Sequence, residues 1–162
     1  MHLIELEVLR ESMETKRLDV HPTQHLELPC VVLLTPKSEL IILKDTMTIR
    51  QALEKMRHAS YTAMAVLDDR GHYVGTVNEG DFLWYLLNTG QTQTKELEDD
   101  PLRSIVRLDW NPSISGDEPV TSVLERVMDQ NFVPVVDDRG MFMGIITRKS
   151  VIAFTMRHMH QK

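Results

Sequence analysis

Thr147, Arg148 and Lys149 stand where an apolar run gives way to a helical pattern. A hydroxyl and two cations at such a place are suited to hold an anion. A helix N-terminus presents unpaired backbone N–H groups and a partial positive charge, and a threonine hydroxyl adds a donor. Cations there disfavour the bare helix by about 0.3 to 1 kcal/mol each. Lys149 alone would read as a solvated surface cation, but the pair points to an anion that offsets the cost through charge-assisted hydrogen bonds. At the matching place earlier in the chain stand Asn78, Glu79 and Asp81. Glu79 suits the helix dipole and would repel phosphate. Asp81 there either contacts a neutral ligand group or simply caps its helix.

Other chemistry finds little support. Cys30 is the single cysteine, so it can form no internal disulfide and no thiol metal pair, and it reads as a small buried residue. His158 and His160 are two apart, whereas a helical metal pair needs a spacing of three or four. No Ser-His-Asp ordering, no glycine-rich phosphate loop and no metal-ligand spacing marks an enzyme, and no metal or cofactor is expected. The net charge of -6 disfavours nucleic acid as a partner. The longest pure apolar stretch, Cys30 to Leu34, is far short of the roughly 20 residues that cross a bilayer. The start of the chain lacks the features of a secretory signal, so a cytoplasmic location is expected.

The elements that position these residues occur twice. Asp68-Asp69-Arg70-Gly71 returns as Asp137-Asp138-Arg139-Gly140, and Gly75 returns as Gly144. A strand pattern precedes each turn (Ala63 to Leu67, Val133 to Val136) and another follows it (Tyr73 to Val77, Phe142 to Ile146), which makes two hairpins. Upstream, Ile49, Ala52, Leu53 and Met56, and then Val120, Val123, Leu124 and Val127, follow the helical i, i+3, i+4, i+7 spacing. A second helix follows each hairpin, from Asp81 to Leu87 and from Ser150 to about Met159. A short apolar segment, Leu40 to Leu43 or Ile105 to Leu108, is taken as the first strand of each copy. The unit is strand, helix, strand, strand, helix.

Three short strands cannot cover themselves, so the fold class is α+β with the two copies packed about a pseudo-twofold axis. The core is expected to hold Leu53, Met56, Val66, Val74, Leu124, Val127, Val135 and Ile146. Met128, Met141 and Met143 are taken, with Met56 and Met64, as core filling. The polar stretch Asn88 to Asp100 reads as the linker. The bounds are 29–90 and 101–162 for the two copies, 91–100 for the linker, and 1–28 for an N-terminal extension. In that extension Leu3, Ile4, Val8 and Leu9 suggest a helix without an assigned role. Phe82, Leu83, Leu86, Ile152, Phe154 and Met156 offer more apolar surface than one module buries, which predicts a homodimer.

The order of elements, with Gly75-Thr76-Val77-Asn78-Glu79-Gly80-Asp81 and Gly144-Ile145-Ile146-Thr147-Arg148-Lys149-Ser150, resembles two CBS motifs. Asn131-Phe132-Val133-Pro134-Val135 followed by Gly144 to Lys149 is similar to the single-module CBS proteins of Firmicutes, some of them cyclic di-AMP receptors. The resemblance implies a Bateman module that binds an adenine nucleotide (AMP, ATP or cyclic di-AMP) in composite clefts and signals to a partner protein whose identity is left open. It implies that Lys37, Ser38, Tyr61, Thr62, Ala63, Thr147, Arg148, Lys149 and Ser150 line one cleft. Asn78, Asp81, Phe132, Val133 and Pro134 line a second. Tyr61 could stack on a purine or cover the core edge with its hydroxyl in water. The chain departs from the motif at Asn78, where Thr or Ser is usual, and at Ser150, where the ribose-binding Asp is usual. These departures keep open an interaction module with empty clefts.

Overall fold

Each half begins with an amphipathic helix. Helix α1 (Ile49–Ala59) starts at Thr48, whose side chain accepts from the Gln51 N–H while the Gln51 side chain accepts from the Thr48 N–H, and it ends in the left-handed residue Ser60. These two capping devices fix its ends. Ile49, Ala52 and Met56 face inward. The computed structural model describes residues 24–90 and 97–159. The suggested helix on Leu3 to Leu9, most of the linker and His160 lie outside them.

Strands β1 (Thr35–Pro36) and β2 (Leu43–Lys44) precede α1, and β3 (Ala63–Leu67), β4 (Tyr73–Asn78) and α2 (Glu79–Thr89) follow it. The second half repeats this with β5 (Ile114–Ser115), α3 (Val120–Asp129), β6 (Phe132–Val136), β7 (Phe142–Thr147) and α4 (Arg148–Met159). The repeated Asp-Asp-Arg-Gly forms the same turn twice. Asp68 Oδ1 accepts from the N–H groups of Arg70 and His72, and Asp137 Oδ1 from those of Arg139 and Met141. Gly71 and Gly140 take positive φ angles of 91° and 77°, which only glycine adopts cheaply. The turns meet each other: His72 pairs with Met141, and the Phe142 N–H donates to the Gly71 carbonyl.

The first sheet has the order β2-β3-β4, with β2 parallel to β3, and the second the order β1-β7-β6-β5, with β5 parallel to β6. Strand β1 precedes the first motif yet pairs antiparallel with β7 of the second, Thr35 opposite Ile145. The reciprocal crossing is Arg107, which precedes the second motif and exchanges both backbone bonds with Thr76 of β4, at 3.2 and 2.9 Å. This corrects the strand expected at Ile105–Leu108. The strand beside β6 is Ile114–Ser115, and Ile105 and Val106 pack on the first-half core. An apolar run reports burial, not which sheet it joins. Likewise only Leu43 of the run Leu40–Leu43 is in β2; Leu40 and Ile42 pack in a third cluster between the sheets with Ala65, Leu67, Phe142 and Ile145.

The cores are exchanged in the same way. Cys30 and Leu33 lie in the second-half core with Val127, Val135 and Ile146, while Leu97 and Leu102 lie in the first-half core with Met56 and Val66. Leu53 and Leu124 are partly buried against these clusters. Val74 is half-buried and joins none of them. Met128, expected to fill the core, is 79% exposed. Burial pushes the Cys30 pKa up to about 11, and the thiol donates to the Ser115 carbonyl at 3.3 Å. That suits a structural thiol rather than a nucleophile.

Two glycines lie under the crossings. A Cβ on Gly75 would come within 2.5 Å of the Arg107 carbonyl oxygen, and one on Gly144 would collide with the carbonyl of Thr35. Gly144→Ala should therefore lower stability by about 1 to 3 kcal/mol through overpacking, several degrees in Tm. Gly116→Ala, whose nearest contacts would be an ordinary 3.6 Å, should change Tm by no more than a degree or two. Thermal denaturation by circular dichroism compares them, and equal Tm values would show that the crossings tolerate a side chain.

Candidate functional site

The two signature segments form the same device at their helix starts. On α2, the Asn78 side chain accepts from the Asp81 N–H at 3.0 Å and Asp81 Oδ2 accepts from the Asn78 N–H at 2.8 Å. On α4, Thr147 Oγ1 accepts from the Ser150 N–H and Ser150 Oγ accepts from the Thr147 N–H, both at 3.1 Å. Each is a reciprocal capping box. The expected start of both helices moves two residues earlier as a result, to Glu79 and Arg148.

The turn Lys37–Glu39 packs on β7, whose last residue is Thr147. Leu43 pairs with Val66 in parallel, and the other end of β3 lies beside the α2 start: Ala63 pairs with Asn78, and the Glu79 N–H donates to the Thr62 carbonyl. Leu40 and Ile145 share the third cluster with Ala65. At the start of β3 Tyr61 and Thr62 are exposed and Ala63 is half-buried. Lys37, Ser38 and Lys149 are exposed, and among the described residues neither lysine enters an ion pair.

Arg148 departs from the role expected of it. Its Nε donates to the Val127 carbonyl at 2.8 Å, and its Nη2 to the carbonyls of Gln130 at 3.2 Å and Met128 at 3.4 Å. The guanidinium caps the C-terminal end of α3, where unpaired carbonyls and the negative end of the dipole favour a cation. This removes the argument from paired cations: the α4 start carries Lys149, and Arg148 serves α3. The sequence shows Arg148 at one helix start but not that another helix ends beside it.

The first-motif cleft is polar and already bonded. Arg107 Nε donates to Asp81 Oδ1 at 2.6 Å, and its guanidinium lies 5.1 Å from the centre of the Trp110 ring. Beside it, Asn111 Nδ2 donates to Thr76 Oγ1, the Thr76 and Tyr73 hydroxyls bond at 2.7 Å, and the Tyr73 hydroxyl donates to the Asn111 carbonyl at 2.8 Å. With those directions Thr76 donates to Tyr73, and the ring of bonds closes. Burial pushes the Tyr73 pKa up to about 12, so the hydroxyl stays protonated as the ring requires. Phe132, Val133 and Pro134 of the expected second cleft are buried in β6, Val133 in the second-half core, with Phe132 paired to Thr147 at the α4 start. Sequence reading missed Tyr73, Thr76, Arg107, Trp110 and Asn111. No local sequence signal marks them: that Val106-Arg107 lies over Gly75 as Leu34-Thr35 lies over Gly144 is visible only in the structure.

Among the described residues no cluster of three His, Cys, Asp or Glu could hold a metal, and no helix is long and apolar enough to cross a membrane. The family model for the CBS domain matches residues 33–88 and 98–157. A CBS domain protein from Streptococcus pneumoniae is 31% identical, with a TM-score of 0.73 over 80% of this chain and 88% of its own. CbpB of Listeria monocytogenes in complex with c-di-AMP is 21% identical, with a TM-score of 0.72 over 82% and 98%. CBSX2 in complex with AMP is 21% identical, with a TM-score of 0.67 over 80% and 97%. No curated protein sequence matches the chain.

The Arg148 cap has a measurable consequence. Arg148→Ala should cost about 1 to 2 kcal/mol, since it strips bonds from carbonyls at the end of α3. Arg148→Lys should recover less than half, because an ammonium keeps the charge but loses the fork. Urea denaturation would measure both, and an unchanged midpoint for Arg148→Ala would return the residue to the ligand cleft.

Proposed function

The chain belongs to the CBS-domain family through both of its halves, and from that premise we propose that it is a non-catalytic regulatory module. It binds an adenine nucleotide (AMP, ATP or cyclic di-AMP) between its motifs and signals that state to a partner protein. The module comprises motif 1 over 29–90 and motif 2 over 101–162, joined by 91–100 and preceded by the extension 1–28, and it works in the cytoplasm. The observation that carries the reading is the crossing of Thr35–Pro36 onto β7. The Lys37–Glu39 turn that follows it packs on β7, which ends at the α4 start with Thr147, Lys149 and Ser150, and in this reading Tyr61, Thr62 and Ala63 complete the cleft. A helix N-terminus, hydroxyls and two uncommitted lysines suit a phosphate, and an exposed tyrosine suits a purine. The bound nucleotides of CbpB and CBSX2 support the class of ligand.

A second reading is an interaction module with empty clefts. The two capping boxes favour it, since they satisfy the signature hydroxyls within the chain. Thermal denaturation with AMP, ATP and cyclic di-AMP separates the readings. A ligand at 100 times its Kd should stabilise the protein by about 2.7 kcal/mol, and a flat response to all three would leave the second reading. Lys149→Ala should weaken binding about tenfold or more, the worth of one charge-assisted bond, with Tm unchanged without ligand. Chromatography of the incubated nucleotides should show no product.

We further propose a homodimer, through the exposed part of the helix faces expected, with Trp84, Leu87 and Met128 added. Phe82 and Phe154 are buried in their own halves, whereas Leu83, Trp84 and Leu87 on α2, Met128 on α3, and Ile152 and Met156 on α4 are exposed. Exposed apolar surface of this extent suits a self-complementary interface. Sedimentation at tens of micromolar, on the order of weak-dimer affinities, should give a dimer, and Leu83→Glu with Ile152→Glu a monomer. A monomeric unaltered protein would reject the assembly.

A further inference from the structure

The two clefts share a scaffold but not an occupant. At the first-motif cleft the place of a ligand's hydroxyl donors is taken by a side chain of the same molecule. Asp81 is only 7% exposed in its side chain, and each carboxylate oxygen has a partner within the chain: Oδ2 accepts from the Asn78 N–H at 2.8 Å and Oδ1 from Arg107 Nε at 2.6 Å. The equivalent residue at the other cleft is Ser150, which carries no charge. Thr35, which crosses over Gly144 as Arg107 crosses over Gly75, has no guanidinium to extend.

We propose that Arg107 is an internal latch on the first-motif cleft, held by Asp81 at its guanidinium edge and by Trp110 at its face, and that this cleft accepts a nucleotide only when the latch is displaced. The inference rests on the nucleotide-binding reading above and concerns the regulation of its second cleft. The division between fixed and movable parts favours a latch. The Arg107 backbone is tied to Thr76 by two bonds, and Asp81 is held in its capping box, but the Arg107 side chain is 40% exposed. The side chain alone can swing. Taking it away leaves a buried carboxylate in need of donors, which the two hydroxyls of a ribose diol supply. Asn111 Oδ1 adds a second opening for a ligand. It is a buried acceptor without a partner, on the residue whose amide bonds Thr76, and an unpaired buried acceptor favours any ligand that brings an N–H. Trp110, exposed beneath the guanidinium, would offer its face to a purine once the cation leaves.

Calorimetry with AMP, which can fill one cleft at a time, tests this on the full chain. The unaltered protein should bind one AMP per chain, at the Lys149 cleft. Arg107→Ala, made in a Glu79→Gln background that lifts the repulsion of the phosphate, should bind a second, at least tenfold tighter than Glu79→Gln alone binds there. Adding Asp81→Asn should remove that second site, while adding Lys149→Ala should weaken only the first. Arg107→Met keeps an aliphatic stem over Trp110 and should behave as the alanine variant does, so it serves if the alanine variant fails to fold. In a Trp84→Phe background Trp110 is the remaining tryptophan, and its emission should respond to AMP in the Arg107 variants but not with the arginine in place. Two AMP per chain in the unaltered protein, or one per chain in both Arg107 variants, overturns the latch and leaves the proposed function standing. No AMP binding by any of these proteins overturns the latch, and the denaturation series with AMP, ATP and cyclic di-AMP then decides the proposed function.

Discussion

Two peptide segments passing at van der Waals range over two glycines hold the architecture together. Thr35 pairs with β7 across Gly144, and Arg107 pairs with β4 near Gly75. Each crossing gives a motif's sheet an extra backbone partner drawn from the chain that leads into the other motif. Each also carries apolar residues into the opposite core, Leu33 on one side and Ile105 and Val106 on the other. Neither half has a complete core by itself, and a sheet as small as either is marginal alone. The halves are therefore coupled by construction, and a cleft made where they cross is sensitive to both.

On this symmetric frame the chemistry is not symmetric. Tyr73 and Thr76 of the first motif stand where Phe142 and Ile145 stand in the second. The first pair needs partners once buried, and Asn111 supplies them in a closed ring. The second pair needs none and joins the apolar cluster between the sheets with Leu40 and Ala65. The same contrast appears at the helix starts, where a carboxylate faces an arginine in one cleft and a neutral Ser150 leaves Lys149 unpaired in the other. Small changes at equivalent positions pair the carboxylate with an arginine at one helix start and leave a lysine without a counter-ion among the described residues at the other.

The repeat was legible because its signals are local. An Asp-Asp-Arg-Gly turn, a glycine after it and a helical period before it each act over a few residues, and the structure places all of them as expected. What escaped was non-local. The run Ile105–Leu108 is apolar because it enters a core, and nothing in its composition names that core as the first-half one. Arg148 sits at the start of α4 in sequence and at the end of α3 in space. Phe82 and Phe154 follow the apolar phase of their helices but point inward, while Leu83 and Ile152, one residue after or two before them, point out. A helix that is apolar over much of its surface does not reveal which stripe is covered.

The signature residues illustrate how far a motif can be trusted. Thr or Asn at the last strand residue and Ser or Asp three positions later form a capping box whether or not a ligand is present, because a helix start needs its first N–H groups satisfied. Their presence is explained by folding alone and does not by itself report binding. The informative residues are those that folding leaves unexplained. Arg148 is explained by the carbonyls of α3, and Glu79 by the helix dipole. Lys149 is not, since a cation at a helix N-terminus is mildly unfavourable and this one has no counter-ion among the described residues. The case for an anion in this protein therefore narrows from a pair of cations at the α4 start to Lys149 there, with Lys37 on the turn that packs on β7.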